Sequence, residues 1–306
     1  MPAFTVRLDS PFSLEHTLGS GQVFRWSRRE EWWYGLVADG VLKIKQEVDV
    51  LRCESSSDQI DPSFVTRYFR LGDDLDHIIA AIAKDDGMTR ATERFYGLRL
   101  VRQDRWECLA SFVLATNANI PRIKKMVASI CDRYGRPFDY AGTSYRSFPT
   151  PKAVAEAPRS DLARCGLGYR APFLKKVAAS VEDGAVDFDA VAALPYEGAR
   201  ALLLQELFGE KVLLGVGPKV ADCVLLYSCD KDEAFPIDVW IARALARSYP
   251  KLLPPPLLAR LRRDGKAKIS AGDYSRLSGS VRRWFGEYAG YAQQYLYMAV
   301  RDQEHA

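Results

Sequence analysis

Two residues of this sequence sit where chemistry accounts for them more readily than stability does. Lys219 follows Leu213-Leu-Gly-Val-Gly-Pro218 and opens a helical pattern that continues through Val220–Tyr227. An ammonium in the first turn of a helix faces the positive end of the macrodipole, which is a local cost. The same field, together with burial, favours the uncharged amine, the form that acts as a nucleophile. Asp238 lies in Pro236-Ile-Asp-Val-Trp-Ile-Ala-Arg243, after a proline and before an apolar helix. It reads equally as a helix N-cap and as a carboxylate able to stabilise an oxocarbenium-like transition state at a sugar.

The connection before Lys219 carries Gly215 and Gly217, whose freedom at positive φ predicts a sharp turn, and Pro218 suits the first turn of the next helix. A glycine hairpin feeding a helix N-terminus exposes several N–H groups and makes a phosphate cradle; as plain architecture it is a tight helix–helix turn. Together the hairpin, the lysine and the distal aspartate resemble the helix-hairpin-helix–GPD signature of DNA glycosylases. Within that superfamily, Val216-Gly-Pro-Lys-Val-Ala-Asp-Cys223 followed by Pro236-Ile-Asp-Val239 resembles the 8-oxoguanine DNA glycosylase family. The resemblance implies a bifunctional glycosylase and AP lyase acting on oxidised guanine in double-stranded DNA, opposite cytosine. Lys219 would attack C1′ while Asp238 stabilises positive charge. No redox cofactor or catalytic metal is required, and the hairpin carbonyls leave room for a monovalent cation.

Four further stretches match the family in order along the chain. Gly19-Ser-Gly-Gln-Val-Phe-Arg-Trp26 resembles its S-G-Q-x-F-R-W segment. Read as structure it is a turn entering a strand, with Phe24 and Trp26 in the core. The resemblance makes the Gly21 carbonyl an acceptor for N7–H of the damaged base, where ordinary guanine carries an acceptor and is repelled. Ala115-Thr-Asn-Ala-Asn-Ile-Pro-Arg122 precedes an amphipathic helix that Asn119 is placed to cap. By resemblance, Asn117 fills the space of a flipped nucleotide and Arg122 reads the orphaned cytosine, although Ala118 interrupts the family's run of three asparagines. Gly166-Leu-Gly-Tyr-Arg-Ala-Pro-Phe173 is a glycine loop before a helix, and the resemblance makes Tyr169 a wedge in the base stack and Arg170 a contact to the opposite cytosine. Gln293 and Tyr297 share one face of a C-terminal helix, at the spacing that also separates Lys219 from Cys223. By resemblance Gln293 reads the Watson–Crick edge while Tyr297 and Cys223 sandwich the base. Tyr297 stands where the family usually has phenylalanine, and Trp240 where it commonly has histidine. The basic residues Arg122, Lys124, Lys125, Lys175 and Lys176 lie near these stretches and are expected either to form a solvated face or to meet phosphates.

Two competitors remain at this level. An alkylated-base glycosylase of the same superfamily also carries a sheet domain, but activates water and lacks the hairpin lysine. A non-catalytic DNA-binding module would use the hairpin for backbone contact alone, and would have no use for Lys219 with Asp238. Superfamily relatives that carry a C-terminal four-cysteine cluster are excluded, because the six cysteines are dispersed with no C-x-x-C pair.

These residues need a scaffold, and the periodicity supplies one. Phe4–Leu8, Gln22–Trp26, Trp32–Val37, Val41–Gln46 and Val48–Cys53 are rich in β-branched and aromatic residues and predict strands. Ala38-Asp39-Gly40 is a hairpin signal between two of them. From about Ser63 the period becomes helical, at 64–69, 75–82, 109–113, 120–134, 173–181 and 199–208, with breaks at Pro149–Pro151, Gly166–Gly168 and Pro254–Pro256. The expected fold is α+β: an N-terminal antiparallel sheet domain with flanking helices over 1–90, then a larger α-helical glycosylase domain over 91–306.

A chain of 306 residues with 48% apolar and 27% charged residues buries a full core, which excludes a disordered protein. The net charge of +4 permits a polyanionic partner without demanding one. The start shows no secretory pattern, no apolar run is long enough to span a bilayer, and scattered cysteines read as reduced thiols. His16, His77 and His305 fall in no metal-binding spacing. The expectation is a monomeric, intracellular, DNA-associated protein of the cytoplasm and nucleoid, or of the nucleus in a eukaryote, with no membrane contact.

Overall fold

The computed structural model describes residues 2–207, 210–211, 213–264 and 268–305. Its first part is a five-stranded antiparallel sheet of β1 (Ala3–Arg7), β2 (Trp26–Arg29), β3 (Trp32–Val37), β4 (Gly40–Glu47) and β5 (Val50–Ser55), in the order β1-β5-β4-β3-β2. Alternation places Val6, Leu42, Ile44, Leu51 and Cys53 on the covered face, in one core with Val65 and Phe69. The expected hairpin is present, with Ala38 and Asp39 at φ +46° and +58° and Gly40 already paired with Val37. Positive φ at both central residues matches the twist of the flanking strands.

Two expectations in this region need correction, and one helix was not anticipated. Gln22–Arg25 is not strand; the chain pairs only from Trp26. The cause is the buried Gln22 side chain, whose Oε1 accepts from the Val101 N–H at 2.7 Å while Nε2 donates to the Arg99 carbonyl at 2.9 Å. A side chain that bonds to distant backbone holds an irregular path that a sheet ladder would break. Leu14–Gly19 is a helix, capped by Ser13. Val48 sits in a turn at φ +52°, so β5 begins at Val50.

The helical part follows the sequence pattern closely. Helices span Pro62–Tyr68, Leu75–Ile82, Arg105–Leu114, Ile120–Tyr134, Ala171–Glu182 and Tyr196–Leu204; Phe208, expected to end the last of these, lies outside the described residues. Their starts are set by caps that the sequence carries, among them Asp61, Asp74, Asp104 and Asn119, each accepting from a first-turn N–H. A hairpin the periodicity did not suggest, Pro137–Tyr140 with Thr143–Arg146, is tied to the sheet by Arg136–Asp39 at 2.8 Å and to Arg25 through the Arg146 carbonyl at 2.6 Å.

Two apolar cores meet at one loop. Phe24 packs into the helical core and Trp26 into the sheet core, so the Gly19–Trp26 segment joins them. A bidentate pair, Arg70–Asp232 at 2.7 Å on both arms, adds a second tie. The C-terminal helix, Ala289–His305, crosses close to the Pro218–Ser228 helix because Gly290 lies there: a Cβ on it would be 2.1 Å from Leu226. That close approach brings the Gln293 side chain to Tyr227 on the Lys219 helix. Among the described residues no helix is long and apolar enough to cross a membrane, and the six cysteines are buried free thiols.

Candidate active site

The Leu213–Gly217 turn aims the Lys219 helix. The Val216 N–H closes it on the Leu213 carbonyl at 3.1 Å, and Gly215 has φ +89° with a hypothetical Cβ only 2.8 Å from that of Phe173. No other residue type meets both conditions. Gly217 differs from expectation: its φ of −101° is ordinary, and its place is the N-cap of the Pro218–Ser228 helix. A glycine cap offers no side-chain acceptor, so the first-turn N–H groups stay open toward an anion.

Lys219 is half-buried, its Nζ 4.8 Å above the centre of the Phe112 ring. Phe112 is wedged between Tyr227, stacked at 5.5 Å, and the edge of Phe24 at 5.6 Å. One turn further along the same face lies Cys223, 2% exposed. Burial pushes its thiol up to about 11, and the neighbouring Lys219, in hydrogen-bond contact with it, opposes that rise. The group is therefore a neutral, weakly polar wall, not a second nucleophile.

Asp238 takes the capping role that the sequence offers and keeps its carboxylate accessible. Its Oδ1 accepts from the Ile241 N–H at 2.8 Å, an N-cap, and the carboxylate remains half-buried beside the pocket. Its charge reaches the pocket walls, since it adds to the effect of burial in raising the Tyr297 and Cys223 pKa values. A buried network that sequence reasoning missed ties the two catalytic candidates together. Asp222, fully buried on the Lys219 helix, accepts from Tyr196 at 2.8 Å, Tyr274 at 2.6 Å and Arg200 at 3.0 Å. The Tyr274 hydroxyl in turn accepts the N–H of Ile237, next to Asp238, at 3.1 Å. Burial pushes the Asp222 carboxyl up, and Arg200 with the two tyrosines opposes it.

Gly21 faces the same space from the other side. It has φ +80°, and a Cβ there would meet Cε1 and the hydroxyl of Tyr297 at 3.4 Å and the Ile120 methyl at 2.9 Å. Gln293 is 5% exposed, with Oε1 3.5 Å from the Tyr227 hydroxyl. Gly21 thus lies against Tyr297, Gln293 against Tyr227 and Cys223 against Lys219, with the Asp238 charge acting on both Cys223 and Tyr297. A separate cavity of about 360 Å³ lies elsewhere, beside Arg25, Tyr68 and Glu107.

Two of the loops expected to meet DNA, those of Asn117 and Tyr169, lie against each other. Asn117 is exposed at φ +52°, and its amide donates to the Tyr169 hydroxyl at 3.3 Å. Tyr169 is half exposed, donates to the Thr116 carbonyl at 3.1 Å, and packs edge-on against Phe173, which touches Gly215. Asn119 caps the helix through the Arg122 N–H, and the Arg122 side chain is exposed. Arg170 is placed otherwise than a base-reading group: 1% exposed, its guanidinium donates to the Thr116 carbonyl (2.9 Å from Nε) and the Asn117 carbonyl (3.1 Å from Nη2). It holds the Asn117 loop in its left-handed turn. Two of the neighbouring lysines are likewise engaged within the protein, Lys175 on the Ala155 and Ala157 carbonyls and Lys124 on that of Trp26. Trp240 is 42% exposed, with the Arg243 guanidinium 5.1 Å from its ring.

A helical domain with a glycine hairpin, a half-buried lysine at its exit and a capping aspartate defines the class. Residues 110–251 match the model of the HhH-GPD superfamily of base excision DNA repair proteins, and residues 6–109 match the N-terminal domain of 8-oxoguanine DNA glycosylases. Over 95% of its length the chain is 30% identical to a probable N-glycosylase/DNA lyase of Methanothermobacter thermautotrophicus, covering 94% of that protein. It is 29% identical to the N-glycosylase/DNA lyase of Saccharomyces cerevisiae over 94% of this chain and 83% of the yeast one. The 8-oxoguanine glycosylase/lyase of Clostridium acetobutylicum, solved with duplex DNA carrying cytosine opposite 8-oxoguanine, superposes with a TM-score of 0.85 at 27% identity, over 99% and 96% of the two chains. The chain belongs to the 8-oxoguanine DNA glycosylase/AP lyase family.

Proposed function

We propose that this member of the family excises 8-oxoguanine from duplex DNA opposite cytosine, with Lys219 as nucleophile and Asp238 as the catalytic carboxylate. The protein is a bifunctional DNA glycosylase and lyase of base excision repair. The observation that carries the residue assignment is Lys219 Nζ, held over Phe112 on the helix face that also bears Cys223, with the Asp238 charge acting on the same pocket.

In this reading the damaged nucleotide leaves the duplex and its base enters between Cys223 and Tyr297. Extrusion costs a few kcal/mol, offset by Asn117 occupying the gap and Tyr169 wedging the stack. Arg122 reaches the unpaired cytosine, while Arg170 keeps the Asn117 loop in shape. The Gly21 carbonyl accepts N7–H of the oxidised base, and Gln293 bonds its Watson–Crick edge. Ordinary guanine would set acceptor against acceptor there, at about 1–3 kcal/mol. The Lys219 amine forms a bond to C1′ as the C1′–N9 bond breaks, and the base departs with its bonding pair and takes up a proton. Asp238 stabilises the positive charge that develops at the sugar. The amine adduct opens to a Schiff base, loss of a C2′ proton follows, and the C3′–O bond breaks.

The amine and the carboxylate supply this chemistry, so no redox cofactor or catalytic metal is called for. The carbonyls of Leu214, Gly215 and Val216 accept no hydrogen bond among those described, which leaves them able to face a monovalent cation or a DNA phosphate's counterion. We place the protein inside the cell, at DNA, as a monomer. The test is strand cleavage on duplexes with 8-oxoguanine opposite each of the four bases. Cleavage strongest opposite cytosine supports the reading, and equal cleavage opposite all four removes the cytosine preference from it.

A further inference from the structure

The recognition turn is held by bonds to every carbonyl around Gly21 but not to Gly21 itself. The Gly19 carbonyl accepts from Arg301 at 2.7 Å, Ser20 from the Gln294 amide at 2.9 Å, and Gln22 from the Gln103 amide at 2.9 Å. Among the described hydrogen bonds the Gly21 carbonyl accepts none. With the neighbouring peptide planes fixed, the direction of that carbonyl is fixed as well.

One of these ties leads back to the nucleophile. The Tyr227 hydroxyl donates to Gln294 Oε1 at 2.6 Å, and the Gln294 amide donates onward to Ser20. All three residues are buried, at 5%, 2% and 1% exposure. Tyr227 follows Lys219 and Cys223 on one helix face and stacks on Phe112, the ring beneath the Lys219 amine. A buried chain of this kind has no water to substitute for a missing member, so its geometry is enforced.

We infer that Tyr227 and Gln294 are specificity-positioning residues. Their relay locks the Ser20–Gly21 turn to the Lys219 helix, so that a base bonded to the Gly21 carbonyl is seated with its C1′ in front of the amine. This rests on the pocket reading above, in which Gly21 receives N7–H. Neither residue touches the base or the sugar in this account. Removing the relay therefore slows excision of the oxidised base and spares cleavage at a sugar that has already lost its base.

The full-length protein carrying Gln294→Leu is compared with wild type in single-turnover assays on an 8-oxoguanine·cytosine duplex and on a preformed abasic site. One lost hydrogen bond of about 1.4 kcal/mol corresponds to about tenfold slower excision. Abasic cleavage should stay within about twofold of wild type. Tyr227→Phe, which removes a single oxygen from a ring that keeps its stacking, should show the same selective loss and serves if the leucine variant does not fold. A parallel loss of both activities, or of neither, overturns the relay. A wild-type protein that cleaves abasic DNA but removes ordinary guanine as fast as the oxidised base overturns the pocket reading instead.

Discussion

Replacing Gly21 with alanine separates the turn's structural role from its role in recognition. At φ +80° a side chain costs about 1–2 kcal/mol from the clash of Cβ with the backbone. The added methyl would sit 2.9 Å from Ile120 Cδ1, the far end of a flexible side chain that can move aside. It would also press on Cε1 and the hydroxyl of Tyr297 at 3.4 Å, and Tyr297 yields less readily because its helix is packed against the Lys219 helix. The combined destabilisation is about 1–3 kcal/mol, a fall in Tm of roughly 2–6 °C for a chain of this size. The functional loss is larger than the stability loss suggests, because the methyl occupies the gap where the base would stack. Excision of 8-oxoguanine should drop by at least about tenfold, as measured under single turnover. Cleavage of an abasic site, which seats no base, should be retained. A variant that melts lower yet excises at the wild-type rate would refute this, and would leave Gly21 as a turn residue only.

Other consequences concern the frame around the site. Asp222→Ala strips Arg200, Tyr196 and Tyr274 of their common acceptor inside the protein. Breaking a buried pair of this kind costs about 3–5 kcal/mol, read as a large fall in Tm, and Asp222→Asn should cost less. Asp273 is held at about 2 by hydrogen bonds from Arg260 and then Arg276. A depressed carboxylate stabilises the fold above its unfolded value and stops doing so as the pH falls from about 4 to about 2. Melting curves across that window should be flatter in Asp273→Asn than in wild type. Arg170→Lys cannot bond both the Thr116 and Asn117 carbonyls from one fixed fork, so it should weaken affinity for lesion duplex, read by titration, with abasic cleavage at saturating protein little changed.

The sequence made the chemistry legible because it is carried by local patterns. A lysine just past a glycine hairpin and an aspartate before an apolar helix are visible without a fold, and the capping reading of Asp238 is observed. One helix start followed from the cap Asn119, whereas the start at Arg105, capped by Asp104, lay four residues ahead of the expected pattern. What escaped were bonds across long separations. Gln22 turns a strand-like stretch into a loop by reaching Arg99 and Val101, and nothing local to Gly19–Trp26 announces those partners. Arg170 was expected to contact the opposite cytosine, yet its side chain is buried against the Asn117 loop, where it donates to the Thr116 and Asn117 carbonyls. Tyr227 was open to inference, since it continues the spacing of Lys219 and Cys223. Its link to Gln294 requires knowing that the C-terminal helix crosses at Gly290. Gly217 showed that a glycine can be chosen for an empty cap as well as for positive φ.

Reductive trapping bears most directly on the central claim, that the Lys219 amine bonds to the sugar. Incubated with 8-oxoguanine duplex and borohydride, the wild-type protein should form a covalent adduct whose linked peptide contains Lys219, and a folded Lys219→Gln variant should form none. An adduct of similar yield with that variant, or a linked peptide from another part of the chain, would contradict the account.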